Sequence, residues 1–460
     1  MNISDYFADY VLRRPHPRMR LPAIADRMTR HAWLRAYDAI FERSERFPPD
    51  RLAAIQEARL RTLVDRVRAS SPFYRERLRD FRSHRDFTAI APVTKHDLRT
   101  ALDAGTVLHP GLASFKVKRS TSGSSGIPFA FFHDRNMYTR RIALYHRLLR
   151  WVGYREGDVA VWIMRELHPE FGAIPFVCFG PEDIERRKEE LYSLLEGKPT
   201  ILHAMTSHLI FLADLFERDG EKFNLKGVIS YAEPLHSEVR RYLEMKFSAP
   251  LFDNYGSQEI LNPGNECEVH DGFHINSEWA YLEVVGEDHR PLPPGQLGTV
   301  LMTSFDNEVM PFIRYKIGDL GCWMEAPCPC GRTLPRLKLS GRDLTYFIHP
   351  NGKVGDFISL VLPILERTPK ILQFQVIRSS RFIYEFHIVP TPAFDDDCRN
   401  AIMEDIRKYL GPEATVTITA TDEIPLGPGG KPRVFVNLEN DFLTRVSEQG
   451  VPYEKHPRKT

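Results

Sequence analysis

The sequence is poor in several things, and each shortage removes a class of function. Six cysteines in 460 residues are too few and too unevenly placed for a disulfide scaffold, so a reducing compartment is expected. Neither sign of charge prevails: 62 Lys and Arg stand against 61 Asp and Glu, and the formal charge of +1 gives no electrostatic reason to expect a nucleic-acid or anionic-membrane partner. The basic stretch Arg13 to Arg20 reads as a solvated arm. No signal-peptide core follows it, and no apolar run approaches the roughly 20 residues of a membrane span. The expectation is a cytoplasmic protein with no membrane partner. A Walker-type phosphate loop is missing, because Lys198, Lys353 and Lys431 each follow a glycine but precede Pro or Val where Ser or Thr is required. No Gly-x-Gly-x-x-Gly opens a helix after a strand, so a dinucleotide site has no support. Repeats, low-complexity tracts and coiled-coil heptads are absent as well.

What is present is 42% hydrophobic and 11% aromatic content, enough for a large core and at least one further domain. Leu60, Leu63, Val64 and Val67 recur at the spacing of one buried helix face, and that helix is expected to end at Pro72. From about Thr200 apolar runs (201–205, 227–232, 250–255) alternate with helices opened at Thr206 or Ser207 and at Ser237, a βαβαβ succession that implies a parallel sheet with helices on its faces. Beyond Arg342 the pattern becomes a strand pair (372–377 and 382–389), an amphipathic helix through Ile402, Ile406, Tyr409 and Leu410, and a strand over 414–420. The expected fold class is α/β. A large N-terminal domain, residues 1–341 with a mostly helical leader over 1–80, carries parallel-rich sheets, and a small mobile α+β domain occupies residues 342–460.

Several segments have the composition of a nucleotide site. Thr121, Ser122, Gly123, Ser124, Ser125 and Gly126 combine hydroxyl donors with glycines that let backbone N–H groups approach a polyphosphate; the competing reading is a flexible surface turn. In a parallel sheet the ligand crevice lies beyond the carboxyl ends of the strands, where Glu233 and Asn254-Tyr255 fall. Tyr255 could stack on a purine, Gly256 could let the backbone close in, and Glu259 could hold magnesium, unless 254–259 is only a turn. Asp319, flanked by glycines, suits the two hydroxyls of a ribose or a turn closed on itself. Arg342 could donate to ribose or phosphate. Lys431, in a Gly- and Pro-rich loop, could deliver an ammonium to a developing phosphoryl charge or remain solvated.

Taken in order, these segments resemble the adenylate-forming enzymes of the acyl-CoA synthetase superfamily, specifically the phenylacetate-CoA ligase branch with its capsule-biosynthesis relatives. RASSPFYRERL with APVTKHDLR, STSGSSGIP, YAEPL, NYGSQE, MPFIRYKIGDLG, CPCGRTLPRLKLSGRD and GPGGKPR carry the likeness over nearly the whole chain after Leu60. The resemblance implies that a carboxylate attacks the α-phosphorus of ATP, giving an acyl-AMP and pyrophosphate, and that coenzyme A then takes the acyl group. It implies that Ser122 to Gly126 grip the β- and γ-phosphates and that Glu259 holds Mg²⁺. Ala232, Glu233, Pro234 and Tyr255, with Asn254, Gly256 and Ser257 beside them, would enclose the adenine, Asp319 and Arg342 would bind the ribose, and Lys431 would stabilise charge during adenylation. Gln258 stands where Thr or Ser usually contacts the α-phosphate, Ile127 where many relatives have lysine, and Leu344 where the hinge is often an acid.

Two further segments, Cys267-x-x-His270 with His274 behind it and Cys328-Pro-Cys330, offer ligands for one tetrahedral, structural zinc, with either histidine as the fourth. Reduced, unligated thiols are the alternative, and His274 could instead be a core or substrate-pocket residue. The capsule-type relatives carry a similar pair of segments. The functional expectation is therefore an ATP-dependent acid–thiol ligase acting on small molecules, alone or as a homodimer. Its competitors are an amide ligase or carrier-protein loader and, from another class, a non-catalytic adenylate-fold binding protein.

Overall fold

The 3.6-residue spacing of Leu60, Leu63, Val64 and Val67 lies on a helix, Pro49–Ser70, and buries all four. It stops one residue before Ser71, whose side chain accepts from the Tyr74 backbone N–H and so opens the next short helix. The structure, a computed structural model, describes residues 3–14, 23–82, 84–120, 129–155, 157–163, 176–179, 184–196, 198–233, 235, 237–340, 346–352, 354–365, 370–424 and 435–439. The first of these form helices α1 (Ile3–Leu12), α2 (Ala23–Ser44), α3 (Pro49–Ser70), α4 (Pro72–Arg77), α5 (His84–Phe87) and α6 (Lys95–Asp103). An antiparallel hairpin of β1 (Lys116–Ser120) and β2 (Ala130–Asp134) follows, then α7 (Met137–Trp151).

The expected alternation is present as β3 (Val159–Ile163), β4 (Phe176–Phe179), α8 (Lys188–Glu196), β5 (Thr200–Met205), α9 (Thr206–Asp219), β6 (Leu225–Tyr231), α10 (Ser237–Phe247) and β7 (Leu251–Ser257). The chain then turns back through β8 (Leu261–Asn265), β9 (Phe273–Ile275), β10 (Ala280–Val285), β11 (Gly298–Ser304), β12 (Tyr315–Trp323) and β13 (Arg336–Ser340). All eleven strands make one sheet, ordered β10-β11-β12-β13-β9-β8-β7-β6-β5-β3-β4. The half from β4 to β7 is parallel and the rest antiparallel. Strands β3, β5, β6 and β7 are largely buried on both faces, which is why they read as apolar runs. Ile201, Ile229 and Phe252 join the core beneath α7, while Leu202, Val228 and Leu251 join the core of α8, α9 and α10.

The C-terminal residues form β14 (Tyr346–Ile348), β15 (Val354–Asp356), α11 (Phe357–Leu365), β16 (Ile371–Ser380), β17 (Ile383–Pro390), α12 (Asp396–Leu410), β18 (Thr415–Ala420) and β19 (Phe435–Asn437). Four of these strands pair as β18-β17-β16-β19 around a core of their own, with Phe374, Phe386, Ile402 and Ile406 inside. Among the described residues no helix is long and apolar enough to cross a membrane.

The N-terminal helices are fastened to the sheet by buried ion pairs. Asp306, beyond β11, is ion-paired with Arg59 of α3 at 2.7 Å and accepts hydrogen bonds from Arg140 of α7 at 3.0 and 3.1 Å, and all three side chains are enclosed. Burial alone would raise the Asp306 pKa; the Arg140 and Arg59 guanidinia outweigh it and hold the carboxyl below its usual range. Its stabilisation is therefore complete above the ordinary aspartate range and fades as pH falls through that depressed value. Replacing one member of such a set leaves the others charged and uncompensated, at a cost of about 3–5 kcal/mol. Asp306→Asn is expected to lose that much in urea unfolding followed by circular dichroism, whereas Arg61→Ala, which breaks an exposed pair with Glu57, should stay within about 0.5 kcal/mol. Equal midpoints for the two variants would contradict the clamp.

Candidate active site

A tight turn at the end of β7 organises the site. Gly256 has no room for a side chain, since a Cβ there would sit 2.6 Å from the Leu261 carbonyl oxygen as β8 folds back. The glycine is thus demanded by the hairpin itself rather than by a ligand. Ser257 Oγ accepts from the Ile260 N–H at 3.0 Å, Asn254 spends its amide on Gly264 and Asn265 across the hairpin, and Gln258 is exposed at the tip. Glu259, in the same turn, is buried.

Three distant segments meet around Glu259. Its Oε1 accepts from the Tyr315 hydroxyl of β12 at 2.8 Å, with Lys95 Nζ at 4.0 Å from the same oxygen. Oε2 has no hydrogen bond among the described residues, so one carboxylate oxygen is left for a cation. From β2, His133 Nε2 lies 3.2 Å from the Glu259 carbonyl oxygen, and its Nδ1 lies 3.1 Å from the Tyr138 hydroxyl. A carbonyl can only accept, so Nε2 carries the proton and Nδ1 accepts from Tyr138. Burial, with Arg141 nearby, pushes His133 down to about 3 and keeps it neutral. Burial and the Glu259 carboxylate together raise Tyr315 far above the usual phenol range, so it remains a donor.

Lys95 reaches this point because Val93, just before α6, is stitched to β12: its N–H donates to the Arg314 carbonyl at 2.9 Å and its carbonyl accepts from Lys316 at 2.8 Å. Thr94 and Asp97 close a capping box that fixes the start of α6. Lys95, His133 and Tyr315 were not singled out from the sequence; the capping-box spacing Thr94-x-x-Asp97 was the one local signal available, and it marks the helix start rather than the lysine.

Asp319 lies on β12 rather than in a turn, and its Oδ2 accepts from the Tyr255 hydroxyl at 2.8 Å. These two expected nucleotide contacts are brought together, with the Tyr255 ring 5.6 Å from Phe273. Ser340 pairs with Leu320, so the chain leaves β13 beside Asp319, two residues before Arg342. Arg342 itself lies outside the described residues, as do Pro234, Lys431 and the whole run Thr121, Ser122, Gly123, Ser124, Ser125 and Gly126. The strands that bracket that run are described: Ser120 pairs with Ala130, and Asn307 holds the hairpin by accepting from the Asp134 N–H and donating to the Phe132 carbonyl, both at 3.0 Å.

At the end of β6 the backbone of Ala232 takes a positive φ of 66°. Glu233 turns inward, accepting from the Ser207 N–H at 2.7 Å and from Ser207 Oγ at 3.1 Å. Its carboxylate therefore sits on the N-terminus of α9, where the helix dipole favours negative charge. That accounts for the buried acid and fixes the 231–233 corner, a role the sequence reading did not assign.

The second cluster is compact. Ligand atoms of Cys267, His274, Cys328 and Cys330 all lie within 4.8 Å of one another. His274 Nδ1 lies 3.0 Å from the Leu334 carbonyl oxygen and so carries the proton, which leaves the Nε2 lone pair facing Cys330 Sγ at 3.4 Å. Burial pushes the imidazole down to about 4 and the Cys267 thiol up to about 12. His270, the other histidine considered, is not in the cluster: its ring rests 4.8 Å from Phe252, with Nδ1 3.2 Å from Arg240 and 3.3 Å from Glu266. Three thiols and one oriented imidazole are a donor set that fits tetrahedral zinc.

No protein-family model matches the chain. It is 29% identical to a phenylacetate-coenzyme A ligase of Thermus thermophilus over 86% of this chain and 98% of the relative. The similarly named ligases of Pseudomonas putida and Escherichia coli are 27% and 26% identical, over 61% and 64% of this chain and 69% and 71% of theirs. Among solved structures, 2-hydroxyisobutyryl-CoA ligase with 2-HIB-AMP and CoA in the thioesterification state superposes with a TM-score of 0.64 at 24% identity, covering 89% of this chain and 94% of that one. The chain thus has the fold of the adenylate-forming acyl-CoA ligases, and its sequence is similar to the phenylacetate-coenzyme A ligases among them.

Proposed function

We propose that this chain activates a carboxylic acid with ATP and then transfers the acyl group to coenzyme A. The observation that carries the reading is the hydrogen bond between Tyr255 and Asp319, residues 64 apart in sequence, on a strand whose Tyr315 also holds the buried Glu259 carboxylate. In this reading a ring, a ribose-type acceptor and a cation-type acceptor face one ligand beyond the carboxyl ends of the parallel strands, and the two hydrogen bonds support it. The relatives named phenylacetate-coenzyme A ligase support the same chemistry.

In this reading a carboxylate oxygen of the acid attacks the α-phosphorus, the α–β phosphoanhydride bond breaks, and pyrophosphate leaves. A thiolate then attacks the acyl carbonyl and displaces AMP. Tyr255 and the Ala232-Glu233-Pro234 corner border the adenine, with Asn254 and Ser257 shaping the turn beneath it, and Asp319 and Arg342 take the ribose. Ser122 to Gly126 hold the outer phosphates, Gln258 donates to the α-phosphate, and Glu259 offers its second oxygen to magnesium, which neutralises phosphate charge when bound. Residues 342–460 form the small domain that brings Lys431 to the reacting phosphorus for the first half-reaction and withdraws it for the second. Catalysis is positioning and charge neutralisation, with no nucleophilic side chain required.

Pyrophosphate exchange over a panel of aryl and aliphatic acids tests this. Exchange is expected with at least one acid, falling about 100-fold or more in Lys431→Ala and in Glu259→Gln, since removing one charge-stabilising group at such a centre costs roughly 10²–10³ in rate. Adding coenzyme A should release AMP and a thioester in preference to amines or carrier proteins. Silence of a folded, wild-type chain across the whole panel would favour a binding protein instead.

The cysteine cluster is proposed as a structural zinc site with Cys267, His274, Cys328 and Cys330 as ligands. Elemental analysis of chelator-free protein should find one zinc per chain, retained in His270→Ala and lost in Cys330→Ser together with a lower thermal midpoint. Protein purified without any bound metal would contradict it.

A further inference from the structure

One buried histidine is held more closely than packing alone requires. His133 of β2 is fully enclosed, with the Phe131 ring 5.1 Å away, and an apolar residue there would need no polar partner. Both ring nitrogens are satisfied instead, and the hydrogen bonds continue beyond the ring in both directions. Arg119 donates to the Tyr138 hydroxyl from Nε at 3.2 Å and from Nη2 at 3.1 Å, the same hydroxyl lies 3.1 Å from His133 Nδ1, and His133 Nε2 lies 3.2 Å from the Glu259 carbonyl oxygen. A guanidinium only donates and a carbonyl only accepts, so every proton in the series points the same way, from Arg119 toward Glu259.

This polarity requires a neutral imidazole. Protonation would put a second N–H on Nδ1, facing a hydroxyl that already accepts twice from Arg119. Burial first, and then Arg141 and Arg119, hold the ring down to about 3, outweighing the Glu259 and Gln258 carbonyls that favour the charged form. The two ends of the series are the informative part. Arg119 stands two residues before Thr121, where the Ser/Thr/Gly run begins, and Glu259 is the buried acid whose Oε2 has no hydrogen bond among the described residues. Glu259 is gripped twice, at its carbonyl by His133 and at Oε1 by Tyr315 at 2.8 Å. With the main chain fixed at one end of the residue and one oxygen at the other, the direction of the second oxygen is set as well.

We propose that His133 is a positioning residue: through the Glu259 carbonyl it fixes where that acid presents its open oxygen to a divalent cation, and through Tyr138 and Arg119 it ties this point to the hairpin bracketing the phosphate run. The inference deepens the acid-activating reading above and rests on it. His133 touches neither nucleotide nor metal in this account and acts through Glu259.

The test uses the full chain with Mn²⁺ as a paramagnetic probe. Water-proton relaxation reports binding of MnATP, and calorimetry reports binding of AMP, which needs no metal. Losing a hydrogen bond that orients a metal ligand weakens metal binding about 10- to 100-fold, so His133→Phe should raise the MnATP dissociation constant about 10-fold or more and leave that of AMP within about 2-fold. His133→Gln, whose amide restores a donor near the Nε2 position, should recover most of the loss, and Tyr138→Phe, which removes only the orienting hydroxyl, should fall between. Combined with Glu259→Gln, His133→Phe should add no further loss, because the two act as one unit. Pyrophosphate exchange should follow the same order with half-saturating Mg²⁺ displaced upward, while thioester formation from a preformed acyl-adenylate is unchanged. Equal losses for MnATP and AMP, or a loss undiminished beside Glu259→Gln, overturn the positioning role and spare the activity. Should His133→Phe fail to fold, an unchanged MnATP constant in Tyr138→Phe overturns the role by itself. His133-dependent MnATP binding without exchange over the acid panel upholds the role and defeats acid activation. Failure of the folded wild-type chain to bind MnATP overturns both.

Discussion

A carboxylate taken out of water must be compensated, and the architecture of the candidate site follows from how Glu259 is compensated. Its partners come from separate parts of the chain: Tyr315 from β12, Lys95 from the start of α6, and His133 from β2 through the backbone. Each contact fixes a segment expected to touch nucleotide. Tyr315 places the strand carrying Asp319, and His133 places the hairpin that brackets residues 121–128. The turn at Gly256 is rigid for the same reason, because the Leu261 carbonyl leaves no space for any larger residue. Satisfying one buried charge and assembling the candidate site are therefore the same structural event.

The cysteine cluster ties together a different set of segments. The loop that supplies Cys328 and Cys330 continues into Thr333, whose N–H donates to the Glu45 carbonyl at 2.9 Å and whose hydroxyl donates to the Phe47 carbonyl at 2.5 Å. Arg332 lies over the Trp151 ring at 4.4 Å, and the Trp151 indole N–H reaches Glu45 at 2.8 Å. A metal drawing the thiols together would thus also steady the end of α2 and the end of α7. Such a site would fasten the helical leader to the sheet.

Local pattern sufficed for the repeating parts of the fold. The βαβαβ succession from Thr200, the strand pair and helix of the C-terminal residues, and the face of α3 all follow from apolar periodicity, which short-range sequence records directly. The pairing of Tyr255 with Asp319 agreed with two motifs read independently. Long-range compensation was not legible. Glu233 read as a crevice residue because its strand-end position was visible, while its bond to Ser207 depends on how α9 meets β6. Spacing could not choose between His270 and His274, because the choice turns on which imidazole has its far nitrogen held by a carbonyl, and that carbonyl belongs to Leu334.

The most direct test of the account is a crystal structure of the chain with a non-hydrolysable acyl-adenylate analogue, an acyl sulfamoyl adenosine. The account predicts the ribose hydroxyls on the Asp319 carboxylate, the adenine beside Tyr255, and the sulfamoyl group directed toward the Glu259 turn. An analogue bound away from β7 and β12, or failing to bind at saturating concentration, would contradict it.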